Sequence, residues 1–345
     1  MSDAEHEARR WLAALAADPE LHLHDIDLPR RRATLVRFDE PTLRDAAFLD
    51  ERALRAATPA LTLDLTPTLL AAAEVPLQPL DAIFHVAHCG STLISRLLGA
   101  LPRNLPKREP LAWLACGVHA RELGRAIAPP AWELMFDATL RLLGRRFHAD
   151  DRVLLKSTSV AANLIGPFLA REPGQRALLV TTPLEAWLAH MLDAPEHRAM
   201  AEHFAPFWAL DLAARDAALA PRTLAERVAS CWVAPMLHFD RALSAEPSRT
   251  RLVVAGDLLE HPRVGLAALA AFLELRADAA SIEAVASGPL LRGYSKAPDR
   301  PYDATERAAR LAAARVTHAA EITAGMAYAE RWLGQAPRLA AQLRG

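Results

Sequence analysis

The sequence predicts an α/β protein: a mostly parallel sheet in three layers, helices on both faces, and helical additions at both ends. Three observations predict it. Short apolar runs suited to buried strands alternate with segments of helical period along most of the chain. Neither an internal repeat nor a low-complexity linker breaks that alternation. At residues 83–92, moreover, a buried run turns through a glycine directly into a helix.

In chain order, residues 2–17 open with Ser2 three positions before Glu5, the pattern of a capping box, and set Trp11, Leu12 and Leu15 on one side. Residues 32–38 alternate weakly and predict a strand, 46–57 a helix, and 61–79 a Pro-punctuated connection. Ile83, Phe84, His85, Val86 and Ala87 then form the central buried strand, followed by a turn at His88, Cys89 and Gly90. Ser91 and Thr92 begin a helix with Leu93, Ile94, Leu97, Leu98 and Leu101 on one face, stopped by Pro102. Residues 103–110 are polar and Pro-bounded, and are expected to be a loop returning toward the strand ends.

A helix is predicted over 132–147, and a second strand over 152–156 ending in Lys156, Ser157 and Thr158. Residues 163–171 continue as a helix interrupted at Gly166 and Pro167. The third strand, 176–180, leads through Thr181, Thr182 and Pro183 into a helix carrying Leu184, Trp187, Leu188, Met191 and Leu192. Residues 199–243 give two helices divided near Pro221, and a fourth strand at 251–255 precedes a helix over 263–273. The resulting organisation is an N-terminal mixed extension (1–79), a core (80–300) and a C-terminal helical extension (301–345).

Composition sets the class. The 345 residues are 52% apolar, enough for a sizeable core without metals or disulfides. Forty basic and 41 acidic residues give a formal charge of −1, and the basic residues are scattered, which argues against a nucleic-acid binder. Arg30, Arg31 and Arg32, like Arg145 and Arg146, are expected on solvated faces. Cys89, Cys116 and Cys231 have no C-x-x-C spacing, so neither zinc nor a disulfide framework is indicated. No secretion signal or membrane-length apolar run is seen, and the default is a soluble cytoplasmic protein without a membrane partner.

The chemistry concentrates at residues 85–92. A strand that turns through a glycine into a helix N-terminus aims unpaired N–H groups and the positive end of the helix dipole at one spot, where an anion is the natural guest. Gly90, Ser91 and Thr92 are the candidate anion ligands, although Ser and Thr there also suit plain helix capping. Lys156, ending a buried strand, either serves that anion or pairs with a neighbouring carboxylate. Glu109 is either a base or a surface carboxylate. His88 is either a proton acceptor, a cation near the loop, or a loop histidine bound to backbone. Cys89 at a helix start suits a lowered thiol pKa. His85, His88 and Cys89 crowd one strand end too tightly for a metal site, so no metal is expected. Trp187, Trp208 and Trp232 sit at helical spacings and are expected in the core.

The stretch AHCGST resembles the phosphosulfate-binding loop of sulfotransferases, P-[KR]-S-G-T-[ST], and LISRLL resembles the helix that follows it. Three further segments resemble that family in the same order: RVLLKS; RALLVTTPLEAWLAHML; and RLVVAGDLLEHPRVGLAALAAFLEL. Together they run from about residue 82 to 275. The resemblance implies a P-loop α/β fold and transfer of a sulfuryl group from 3′-phosphoadenosine 5′-phosphosulfate (PAPS) to a hydroxyl or amine of a small-molecule or macromolecular acceptor. It sets Cys89, Gly90, Ser91 and Thr92 in the donor loop, Lys156 at the end of the family's second strand, and Glu109 where some members carry an acidic base; by their own chemistry Lys156 is the candidate catalytic cation and His88 the rival base.

The sequence also departs from the family. His88 stands where a Lys or Arg belongs, while Thr181 and Ala189 stand where an Arg and a Ser would hold the 3′-phosphate. Arg292 and Lys296 are candidates to compensate, or are simply exposed. Two other functions remain open. One is a nucleotide-dependent phosphotransferase, for which a Lys is missing at Ser91. The other is a non-catalytic P-loop protein that binds a partner.

Overall fold

The computed structural model describes residues 2–54, 58–124, 126–294, 297–301 and 304–336. Helix α1 (Asp3–Ala14) begins with the expected capping box: Glu5 N–H donates to Ser2 Oγ and Ser2 N–H to the Glu5 carboxylate. An antiparallel sheet follows, in which β1 (Leu21–Asp27), β2 (Arg32–Arg37) and β3 (Ala60–Asp64) pair in chain order. Between β2 and β3 lie α2 (Glu40–Asp45), capped by Asp39, and a single 3₁₀ turn, Glu51–Ala53. The helix expected over 46–57 is absent from its described residues. Asp50 instead holds the Arg52 backbone N–H and guanidinium, the kind of local bond that competes with a helix. The expected connection over 61–79 is β3 and then α3 (Leu65–Ala73). Its proline at Pro67 falls within the first turn, where no amide hydrogen is needed.

The core is built on β4 (Asp81–His85), which runs into α4 (Ser91–Gly99). Next come β5 (Asn104–Arg108), α5 (Leu111–Ala120), α6 (Pro129–Leu143) and β6 (Arg152–Lys156). After a 3₁₀ segment follow α7 (Ile165–Leu169), β7 (Ala177–Thr181), α8 (Leu184–Asp193), α9 (Pro195–Ala213), α10 (Leu224–Ala245) and β8 (Thr250–Val254). The chain then forms α11 (Ala255–Glu260), α12 (Pro262–Phe272), α13 (Ala279–Ala286), a small antiparallel pair of β9 (Gly293–Tyr294) and β10 (Ala297–Pro301), α14 (Ala304–Thr317) and α15 (Ala319–Glu330). Five strands form one parallel sheet in the order β5-β6-β4-β7-β8. Every residue of β4, β5 and β7 is buried, as a sheet covered by helices on both faces requires. Trp187, Trp208 and Trp232 lie in the core as expected.

The expected loop at 103–110 is instead the edge strand β5. Its charges hid it: Lys107 and Arg108 are buried, and each finds backbone acceptors. Lys107 Nζ donates to the Arg145 carbonyl at 3.0 Å, just past the C-terminus of α6, where carbonyls lack helical partners. Arg108 donates to Ser95 Oγ and to the carbonyls of Arg44 and Ala46. Pro106 is tolerated because β5 has a ladder partner on one side only. Residues of the N-terminal extension close the other side: Arg44 donates to the Asn104 carbonyl and Leu49 N–H to the Arg108 carbonyl.

At the opposite end of β4, Asp81 is buried and takes two bonds from Arg152 and one from the Arg176 amide. These pin β4, β6 and β7 together at their N-terminal ends, leaving the C-terminal ends free to carry loops. Among the described residues, no helix is long and apolar enough to cross a membrane.

Candidate active site

From β4 the chain crosses to β5 on one side of the sheet, whereas β7 and β8 lie on the other side of β4. The C-terminal ends of β4 and β7 therefore flank a switch point, the usual crevice for a ligand in an open α/β sheet. The loop before α4 sits there. Val86 N–H donates to the Val180 carbonyl, extending the β4–β7 pairing by one bond. Beyond it Ala87 (φ 60°), His88 (φ 44°) and Gly90 (φ 87°) all lie in the left-handed region. Glycine suits the last for two reasons: its φ, and the 3.1 Å at which a Cβ would meet Ala255 Cβ. As the N-cap of α4, Gly90 offers no side chain, so the first-turn amides receive no bond from the capping residue. Ser91 and Thr92 are buried in that first turn.

Beside the loop, Lys156 ends β6 and Glu109 follows β5 by one residue. Their side chains touch: Lys156 Nζ donates to Glu109 Oε1. Of the two roles left open by sequence, the lysine is thus seen paired with a carboxylate. The pair is asymmetric. Lys156 is 1% exposed and Glu109 21%, so the cation is buried behind a carboxylate that reaches solvent. Glu109 is held in the left-handed region (φ 51°) by its own N–H donating to the Lys156 carbonyl at 2.7 Å. Ala87, His88 and Glu109 make up half of the six described non-glycine residues with positive φ; such strain collects where a side chain must be aimed.

His85 ties the pair to the loop. Its Nδ1 accepts from Ala87 N–H at 3.0 Å, which leaves the ring proton on Nε2, donated to the Ser157 carbonyl at 2.8 Å. Lys156 Nζ lies 3.2 Å from that same Nε2. A protonated Nε2 cannot accept, so the ammonium turns its hydrogens to Glu109. Phe48 and Arg52 complete the wall, with Lys156 Nζ 5.8 Å and the Arg52 guanidinium 3.6 Å from the Phe48 ring centre. Phe48 and Arg52 were not among the residues singled out by sequence, and His85 was weighed there only as a metal ligand. Its link to Lys156 had no local sign beyond a polar side chain inside an otherwise apolar strand.

The remaining candidates are dispersed. Cys89 turns its Sγ to the Val180 carbonyl, and burial pushes its thiol pKa up, correcting the expected depression at a helix start. His88 turns its ring to His190 and His197. Thr181, buried at the end of β7, turns its hydroxyl to the Thr182 carbonyl. Ala189 is buried in α8. Arg292 is exposed, with its guanidinium on the Ser287 carbonyl. Lys296 lies outside the described residues.

Three solved sulfotransferases are similar to this chain. The sulfotransferase domain from the curacin biosynthetic pathway is 14% identical, over 65% of this chain and 83% of that one, with a TM-score of 0.42. The sulfotransferase domain of the Synechococcus PCC 7002 olefin synthase is 16% identical, over 62% and 79%, with a TM-score of 0.37. A sulfotransferase from Alicyclobacillus acidocaldarius is 14% identical, over 74% and 95%, with a TM-score of 0.39. No family model and no curated protein matches the chain.

Proposed function

We propose that this chain moves a sulfuryl group from PAPS to a hydroxyl or amine of an acceptor. The supporting observation is the convergence of distant segments on one sheet end. The loop at 86–92 packs Gly90 against Ala255, Val86 bonds Val180, and His85 links the loop to Lys156 and Glu109. In the proposed step the acceptor oxygen attacks sulfur in line and its proton passes to Glu109 Oε. The sulfur–oxygen bond to the donor breaks, and adenosine 3′,5′-bisphosphate leaves with the bond's electron pair on a phosphate oxygen. The first-turn amides of α4 and the Lys156 ammonium hold charge on the transferring group. Glu109 suits the base role because it is the solvent-facing member of the pair. Lys156 behind it anchors the carboxylate at the crevice.

The test is ligand linkage followed by transfer. Adenosine 3′,5′-bisphosphate and PAPS should raise the melting temperature without magnesium, and sulfur-labelled PAPS should label a hydroxyl acceptor from a panel. Stabilisation by ATP or GTP only in the presence of magnesium would replace this reading with phosphoryl transfer. Stabilisation by no nucleotide would leave a partner-binding protein.

A further inference from the structure

Three histidines from separate stretches meet beside the loop before α4. His88 comes from the loop, His190 from the last turn of α8 and His197 from the first turn of α9. One ring nitrogen from each lies within 4.8 Å of the others. His88 Nδ1 and His190 Nε2 are 3.2 Å apart. Nitrogens held at about 2.0–2.1 Å in a tetrahedral shell lie about 3.3–3.4 Å from one another, so this pair already has ligand spacing. We propose that His88, His190 and His197 bind a divalent transition-metal ion of the zinc type, leaving one coordination position open.

Several features build the site. Pro195 starts α9 two residues after α8 ends, and this tight corner folds His197 back so that its Nδ1 lies 3.2 Å from the His190 carbonyl. A ring that donates Nδ1–H to a backbone carbonyl presents its Nε2 lone pair outward, the usual outer-shell arrangement of a metal-binding histidine. Trp187 Nε1 donates to the Ala87 carbonyl at 2.9 Å and so fixes the loop over α8. His88 occupies the left-handed region, a costly conformation for a residue with a Cβ, and that conformation brings its ring to α8 and α9. The rings are tilted rather than stacked, with centroids 4.2–5.2 Å apart and planes at 42–59°. All three are half-buried, which leaves an entry path.

Three imidazoles with no carboxylate among them suit zinc, copper, nickel or iron rather than magnesium or calcium. A second cluster, Glu40, His148 and Asp151, is the natural control. The Glu40 carboxylate there is already bonded to Arg44, and Asp151 accepts the His148 amide. The inference does not depend on sulfuryl transfer. If both hold, the ion brings positive charge to the rim of the donor loop.

The experiment is a competition titration of the full chain with zinc against a chromophoric chelator, and cobalt substitution read by its visible absorption. One zinc per chain with sub-micromolar affinity is expected, with the intense visible bands of four-coordinate cobalt. His197→Asn and His190→Asn should each weaken binding at least tenfold, whereas His148→Ala should leave it unchanged. Failure of the wild-type chain to bind zinc would overturn the proposal, as would undiminished binding by His197→Asn or loss only in His148→Ala. X-ray absorption on the wild-type zinc complex avoids reliance on variant folding: three imidazole ligands are expected, and one or none would refute the site.

Discussion

Glu109→Gln tests the asymmetric pair directly. The substitution leaves Lys156, 1% exposed, facing a neutral amide. Removing one partner of a buried pair costs about 3–5 kcal/mol, and because the amide oxygen still accepts a bond the lower end, about 3 kcal/mol, is expected. Lys156→Met removes the buried charge instead, leaving a carboxylate that reaches water, at about 1 kcal/mol. The double variant should lie within about 1 kcal/mol of wild type, because an apolar replacement of both charges is close to neutral. Urea unfolding of the four proteins at pH 7 gives each value and the coupling between them. Turnover, measured where every variant is folded, should fall about 10²-fold or more in Glu109→Gln. Affinity for adenosine 3′,5′-bisphosphate should hold or rise, since Lys156 is released to the anion. Lys156→Met costing more than Glu109→Gln would refute the burial reasoning. A parallel loss of affinity and turnover would refute the base role.

Gly90→Ala should cost about 1–2 kcal/mol from its positive φ, and weaken nucleotide binding tenfold or more by displacing the loop from Ala255; urea unfolding and calorimetric titration read the two effects. Burial, reinforced by Lys107 and Arg145, holds the His22 pKa well below 6.5, and burial also lowers that of His24. Both are therefore neutral in the folded chain while the unfolded chain protonates. Stability is then fully present above about pH 6.5 and falls below it by up to about 1.4 kcal/mol per pH unit for each histidine. His22→Phe should flatten that slope in pH-dependent unfolding. With Thr181 turned to its own strand end and Arg292 exposed, the advantage of adenosine 3′,5′-bisphosphate over adenosine 5′-monophosphate should be under about tenfold, 1.4 kcal/mol. A larger advantage surviving alanine at Arg292 and Lys296 would place the 3′-phosphate elsewhere.

The apolar strands were legible in the sequence: β6 begins and ends where expected, and β7 and β8 shift by one residue. What escaped detection was polar and buried. In β1, His22 and His24 pack against Phe38 and look like surface residues in a string of letters. In β5, Lys107 and Arg108 depend on the Arg145 carbonyl just past α6 and on the carbonyls of Arg44 and Ala46, which no local pattern announces. The site shows the same division. The strand–glycine–helix step and the strand-terminal Lys156 could be read locally, as could Glu109 near them. The turning of His88 to His190 and His197, and the entry of His85 in its stead, depend on a loop conformation set by contacts about a hundred residues distant.

The clamp of residues 44–49 over β5 also bears on the order in which the protein can be made. Phe48 and Arg52 leave the ribosome about a hundred residues before Lys156, the partner they enclose. At about 5–20 residues per second that interval is roughly 5–20 s, during which β1, β2 and β3 can pair, whereas β5, the strand covered by the segment joining β2 to β3, has no ladder partner until β6 is made. His88 waits about as long for His190 and His197. Closure of the crevice is consequently a late event of folding, made of long-range contacts that must form after the sheet. Early trapping of residues 39–54 by a chaperone would leave the parallel sheet intact and the crevice at its C-terminal end unfinished.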